Sequence, residues 1–363
     1  MLMYNRGSSK QGVMKMIDYN KYEAYMKSRP HVVILGAGAS CAAIPSGDKN
    51  GKRISAMNGF IDSLGLSEVL SGIKVHTDSN NLEDIYMELD ERSLYEVDCA
   101  NAKDELERRI HNYMSEYTIP DDPTVYDFLL LSLTSKDLVA TFNWDPLLIQ
   151  SYCRVMKYTN NLPELAFLHG NVAVGFCEED NIMGNVGRIC KCGKSLHPIK
   201  LLYPVKKKDY TGEVAIAKSW KTLQNALKKA YIVTIFGYSA PKSDVEAISM
   251  LKKAWGDVEK RNLEEIEIID IRPEDEVIES WQEFIHTHHY SCHSSLFDAS
   301  LGKLPRRTCE ATFDRLMNCT FLDGNKGFKS EMSFGDIQEK IKDLLEEEII
   351  SKHSGEVLQN PYK

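Results

Sequence analysis

HVVILGAGAS, His31 to Ser40, decides the fold: four aliphatic residues run without a break into Gly36-Ala37-Gly38. A short continuous apolar run bounded by glycine suits a strand covered on both faces. The glycines permit a tight strand-to-helix turn whose backbone can approach a pyrophosphate closely. The same texture recurs in DLVATF (137–142), LAFLHG (165–170), YIVTIFG (231–237) and IEIIDI (266–271), with helical patterns between them. Five such strands alternating with helices predict an α/β protein on a Rossmann-like parallel sheet.

The bulk numbers permit this and exclude other classes. With 363 residues, 43% of them hydrophobic, the chain can bury a substantial core. A formal net charge of −9 gives no general attraction to nucleic acid or to an anionic membrane. Lys206, Lys207 and Lys208 form a local basic patch that reads as a solvated turn. No stretch approaches the roughly 20 apolar residues of a membrane span, and MLMYNRGSSKQG lacks the apolar core of a secretory signal, so a cytoplasmic location is expected. Nine cysteines at irregular spacing suit a reducing compartment better than a disulfide framework.

Outward from the first strand, residues 1–30 read as an N-terminal helical segment, with Met14, Ile17, Tyr22 and Tyr25 at helical spacing over 14–28. Residues 31–300 read as the nucleotide-binding catalytic domain. It carries a helical insertion at about 60–124, rich in Glu, Leu, Arg and Tyr over 82–118 and closed by Pro120 and Pro123. A small loop-rich module of short strands and turns is expected at about 171–210. Helices are expected at 212–230 and 243–255, and again at 334–351 inside a C-terminal helical region, 301–363.

Chemistry concentrates at strand ends. Asn143 and Asp145, in ATFNWD (140–145), follow a strand where open α/β sheets place ligand-binding groups. Both are also good turn formers, and Pro146 supports a helix start just after them. His169, in FLHGN (167–171), could remove a proton from a ribose hydroxyl or from water, or could be a hydrogen-bonded structural group. The glycine turn departs from the G-x-G-x-x-G fingerprint: Cys41 stands at the third glycine, and Asp62 is the nearest acidic residue at the expected distance. Cys177, Cys190 and Cys192, with His197 close behind, are the candidate zinc ligands, but Cys190-x-Cys192 is shorter than the usual knuckle, which favours a metal-free remnant. HTHHYSCH (286–293) reads as a surface turn leading into a strand.

These segments, in this order, resemble the sirtuin, or silent information regulator, family. GAGAS, TFNWD and LHGN look like its glycine turn, its Thr-x-Asn-x-Asp segment and its catalytic histidine, and FGYSAP (236–241) looks like its later Gly-x-Ser nucleotide loop. The resemblance spans roughly 31 to 275. It implies NAD+ as substrate, with Gly36, Ala37, Gly38 and Ser40 at the pyrophosphate and adjacent ribose. Asn143 and Asp145 would lie at the nicotinamide ribose, His169 would be the base, and Gly237, Ser239 and Asp270 would lie along the ADP-ribose half.

Where deacylases of the family carry Gly-Ile-Pro-Asp-Phe-Arg, this chain reads AAIPSGDKNGKR (42–53), keeping Ile44 and Pro45 and losing the Phe-Arg pair. Phe142 replaces the glutamine of the Thr-Gln-Asn segment. Losing the shielding ring favours attack by water, so the pattern is similar to prokaryotic sirtuin-like effectors that degrade NAD+ during phage infection. That resemblance implies an NAD+ glycohydrolase acting as a homo-oligomer, with a HerA-type ATPase or an Argonaute-type protein as partner. The alternatives are an NAD-dependent protein deacylase or ADP-ribosyltransferase, and a nucleotide-sensing subunit without turnover.

Overall fold

The structure, a computed structural model, describes residues 26, 28–54, 60, 64, 65, 67–70, 73, 75–77, 79, 81–205, 209–240, 244–257, 261, 264–282, 284, 285, 289–356 and 358–363. Met14, Ile17, Tyr22, Tyr25, Asp62, Lys206 to Lys208, Pro241, Ser243, His286 and His288 lie outside the described residues.

The strands are β1 (His31–Leu35), β2 (Leu138–Thr141), β3 (Glu164–Phe167), β4 (Val174–Cys177), β5 (Ile182–Asn185), β6 (His197–Pro198), β7 (Ile232–Phe236), β8 (Glu265–Ile269) and β9 (Tyr290–His293). The helices are α1 (Ala37–Ala43), α2 (Ser67–Leu70), α3 (Leu82–Arg92), α4 (Val97–Ser115), α5 (Val125–Ser132), α6 (Leu147–Val155), α7 (Val214–Leu227), α8 (Val245–Trp255), α9 (Glu274–Trp281), α10 (Ser300–Lys303), α11 (Thr308–Met317) and α12 (Phe334–Ser354). Among the described residues, none of these helices is long and apolar enough to cross a membrane.

Six strands form one sheet in the order β3-β2-β1-β7-β8-β9, and every neighbouring pair is parallel. Counted along the chain within this sheet, the order is that of the doubly wound α/β fold. β1 sits at the centre, Val33 facing Val139 on one side and Thr234 on the other. The five strands expected from apolar runs are present. β1, β2, β7 and β8 are buried at every position, which is why apolar residues dominate β1, β2 and β7 on both faces, while β8 (EIEII) buries Glu265 and Glu267 among its isoleucines. The sixth, β9, is a half-exposed edge strand at YSCH, the end of the segment read as a turn leading into a strand.

Each face of the sheet is covered. Val32 and Ile34 pack with Trp220, Leu251 and Trp281 from α7, α8 and α9. Val33 and Leu35 pack with Phe128, Leu148, Leu301 and Ile337 from α5, α6, α10 and α12. A third cluster joins α3 and α4 through Leu82, Leu89, Leu106 and Ile110 to Trp144 and Tyr203, so the helical insertion rests beside the end of β2. β5-β4-β6 form a small antiparallel sheet within the expected loop-rich module.

α12 is bounded by a reciprocal Ser333–Asp336 cap and by Gly355 at φ 76°. Its buried Glu348 accepts hydrogen bonds from Arg306 Nε at 2.5 Å, Arg306 Nη2 at 2.6 Å and Arg307 Nη1 at 2.9 Å. Arg306 also donates to the carbonyls of Leu131, Leu133 and Asn161, binding α12 to the ends of α5 and the approach to β3.

A buried polar line crosses the sheet. His31 Nδ1 meets Thr308 Oγ1 at 3.0 Å and His31 Nε2 meets Thr234 Oγ1 at 2.7 Å. Thr234 donates to Glu267, which also accepts from the Ser300 amide and hydroxyl. Burial, assisted by the nearby Lys136 charge, lowers the His31 pKa from 6.5 to about 3. The folded state therefore holds neutral His31 where the unfolded chain takes a proton, so His31 costs no stability above pH 6.5 and increasingly more as the pH falls toward 3. Chemical denaturation across that window should show stability declining in the wild type, with a shallower decline in His31→Gln; equal slopes would contradict this account.

Candidate active site

The sheet order reverses between β1 and β7, so their following loops diverge and leave a crevice at the carboxyl ends, where open α/β sheets bind ligands. The two loops touch backbone to backbone. Gly36 N–H donates to Phe236 O at 3.0 Å, Gly38 N–H to Gly237 O at 2.9 Å, and Gly237 N–H to Ile269 O at 2.9 Å. A Cβ on Gly36 would lie 2.5 Å from Tyr238 Cα. A Cβ on Gly237, whose φ is +62°, would lie 2.3 Å from the Ala39 nitrogen. The glycine turn is thus explained first by loop-on-loop contact: two of its amides close the crevice floor, while Ala37 and Gly38 are exposed above it.

ATFNWD turns over this floor with its side chains sorted by direction. Asn143 Nδ2 donates to Gly36 O at 2.8 Å and Ser40 Oγ at 2.9 Å, and lies 3.3 Å from the Tyr126 hydroxyl. The Gly36 carbonyl can only accept, which fixes the orientation of the amide. Ser40 Oγ donates to Asp145 Oδ2 at 2.7 Å and lies 2.7 Å from Tyr126 OH. Asp145 Oδ1 accepts from the Leu147 amide at 3.1 Å, capping α6. Ser40 is 1% exposed and Asp145 6%, so both sit within the wall of the crevice rather than on its surface. Burial pushes the Asp145 carboxyl above the usual carboxylate range, against the opposing pull of Ser40 and Leu147. Trp144 points the other way, 5.3 Å from Tyr203 in the insertion cluster.

His169 follows β3 and is held by its backbone, its carbonyl accepting from Leu202 N–H at 2.9 Å. Gly170 must be glycine: φ is +80° and a Cβ would lie 2.4 Å from Lys200 O. The His169 ring meets Phe142 edge-on at 4.7 Å and Tyr210 in a stack at 5.9 Å. Phe142 in turn stacks on Tyr238 at 4.3 Å. Tyr210 OH lies 3.4 Å from His169 Nε2, and Asp244 Oδ1 lies 3.8 Å from the same nitrogen. The imidazole is enclosed by rings on its flanks with a carboxylate nearby.

Gly237, Ser239 and Asp270 all follow β7 or β8, at the same end of the sheet as the glycine turn and His169. Ser239 is exposed. Asp270 is engaged by Arg272 through its amide, Nε and Nη2, at 3.0, 3.1 and 2.8 Å. Burial alone would raise the Asp270 carboxyl; the Arg272 bonds outweigh it and hold the pKa below the ordinary range. Tyr126, Tyr210, Tyr238 and Asp244 went unnoticed in the sequence. Tyr238 lies inside FGYSAP and could have been suspected there; Tyr126, Tyr210 and Asp244 stand in stretches with no strand-end signal.

At the far side of β4, Cys177, Asp180, Cys190 and Cys192 bring one ligand atom each within 4.8 Å of one another. Cys177 Sγ is 3.5 Å from Cys192 Sγ, and Asp180 Oδ2 accepts from the Cys190 thiol at 2.9 Å. His197 lies outside this group, paired with Phe176 across β6 and β4. The short Cys190-x-Cys192 spacing is made good by Asp180, supplied from the β4–β5 turn. Three thiols and a carboxylate at these separations fit the tetrahedral donor set of zinc.

No family model matches the chain, and no curated protein matches it. Among solved structures it is similar to one described as "The Structural basis of Sirtuin Substrate Affinity", at 14% identity over 77% of this chain and 94% of that chain with a TM-score of 0.37. "Sir2 bound to acetylated peptide" is similar at 14% identity over 84% of this chain and 99% of that chain, TM-score 0.36. "Structure of Sir2Tm bound to a propionylated peptide" is similar at 13% identity over 77% of this chain and 93% of that chain, TM-score 0.33.

Gly237→Ala should destabilise the protein by about 1–3 kcal/mol, because the new methyl meets backbone that cannot move aside; denaturant melts check this, and an unchanged midpoint would refute it. Elemental analysis of the purified chain should give one zinc per molecule, lost when Cys177 and Cys192 are both changed to serine. A metal-free wild type prepared without chelator would refute the donor set.

Proposed function

We propose that this chain is a sirtuin-like NAD+ glycohydrolase, cleaving NAD+ to nicotinamide and ADP-ribose. The observation that carries the reading is a ring-enclosed histidine and a carboxamide, Asn143, set around a glycine-floored crevice at the switch point of a doubly wound sheet. NAD+ would lie across that point with its pyrophosphate over Ala37 and Gly38 and its adenosine half toward Gly237, Ser239 and Asp270. Asn143 would orient the nicotinamide ribose through its carbonyl oxygen, since its nitrogen is spent on the glycine turn. Ser40 and Asp145 would act at one remove, by fixing Asn143 and the turn that carries it.

Nicotinamide leaves a cationic glycosidic bond as a neutral molecule, so the site needs to position the ribose, limit solvent and accept a proton more than to activate the leaving group. Water adds to C1′, His169 takes the proton that the water gives up, and ADP-ribose and a proton are released.

Such an activity endangers the cell that makes it, so we infer control by assembly or by a partner, in a cytoplasmic role such as anti-phage defence through NAD+ depletion. A homo-oligomer, or a complex with a HerA-type ATPase, would provide it. The exposed Ile349 and Ile350 on the acidic α12 offer a surface for that assembly.

Incubated with NAD+ alone, the chain should release nicotinamide and ADP-ribose in equal amounts, and His169→Ala should slow this by about 10²-fold or more. Product formed only with an acyl-lysine peptide, as O-acyl-ADP-ribose, would replace the hydrolase with a deacylase. ADP-ribose binding with no product under any condition would leave a nucleotide-sensing subunit.

A further inference from the structure

Asp244 stands at the start of α8, 75 positions from His169 in sequence, yet its side chain is only 5% exposed and lies beside that histidine. Its Oδ2 accepts the Tyr238 hydroxyl at 2.8 Å. Tyr238 stacks on Phe142, and Phe142 packs against the His169 ring, so carboxylate and imidazole are held by one stack of side chains. Oδ1 faces His169 Nε2 at 3.8 Å, a gap that a small rotation of either side chain closes to hydrogen-bond length.

Among the described residues, Tyr210 and Asp244 both approach that nitrogen. Tyr210 OH, 3.4 Å away, could donate to a bare Nε2. The Asp244 carboxylate can only accept, so it requires a hydrogen on Nε2. Both phenols are pushed well above their ordinary range, by burial first and by the Asp244 charge next, with Glu246 adding at Tyr210 and Glu83 at Tyr238. They stay neutral through the working range, and a buried charge outweighs a neutral hydroxyl at similar distance.

We propose that Asp244 is a positioning residue that fixes His169 as its Nε2–H tautomer, leaving Nδ1 as the proton-accepting nitrogen, and that it stabilises the imidazolium formed when Nδ1 is protonated. Asp244 forms no covalent bond; the proton moves from water to Nδ1 and then to solvent. The inference rests on the reading of His169 as the base, but its first test does not need turnover.

The full chain labelled with ¹⁵N-histidine, its His169 signals assigned by their loss in His169→Gln, reports the tautomer directly by NMR. The wild type should carry the hydrogen on Nε2 when neutral; a hydrogen on Nδ1 overturns the proposal without any variant of Asp244. In Asp244→Asn the His169 pKa should drop by about one unit, as expected for the loss of an opposite charge within 4–6 Å, and Asp244→Glu should restore most of it. An unchanged pKa in Asp244→Asn, with the other histidine signals in place, also overturns it. If the tautomer and the shift are as stated while no variant or wild type consumes NAD+, the coupling stands and the glycohydrolase reading fails. Where NAD+ is consumed, the acidic limb of the rate profile should move with the His169 pKa.

Discussion

The contact between the Gly36–Gly38 turn and Gly237 is the constraint on which the rest of the molecule depends. Two loops that diverge from neighbouring strands would normally be separated by side chains. Here their peptide groups touch, because neither loop carries a Cβ at the point of approach. That contact pins the carboxyl ends of β1 and β7 together and sets the depth of the crevice between them. It also brings the Gly36 carbonyl within reach of Asn143, so the second element of the site takes its position from the first.

From that floor a chain of buried hydrogen bonds extends sideways through Asn143, Ser40, Tyr126 and Asp145 to the first amide of α6. Such a network tolerates one arrangement, since each buried polar group left unpaired costs about 1–3 kcal/mol. This side contrasts with the His169 side, where aromatic packing of Phe142, Tyr210 and Tyr238 shapes the space. One wall fixes position and the other shapes the space.

Most of the sheet is legible because central parallel strands are buried on both faces and are mostly apolar, as in VVIL and IVTIF. β9 carries no apolar run, since an edge strand is free to be polar, and is legible only as the strand that HTHHYSCH leads into. The strand-end residues Asn143 and His169 were legible for the same topological reason: a loop that leaves a buried strand opens at the ligand face. What could not be read was long-range convergence. Asp244 reaches His169 from 75 positions away through Tyr238 and Phe142, and Asp180 completes the cysteine group although nothing in its spacing marks it as a ligand. Glycine was read as a mark of phosphate approach, whereas at Gly36 and Gly237 it first serves backbone against backbone.

The pairing of His31 with Ile232 has a consequence for biosynthesis. A chain made from its N-terminus must release β1 with neither lateral neighbour available: β2 follows only at Leu138 and β7 only at Ile232. Ladders closed over such distances form late and slowly. The glycine turn therefore exists as sequence long before β7 brings Gly237 against it, and a nascent fragment that stops short of Ile232 lacks that whole side of the crevice.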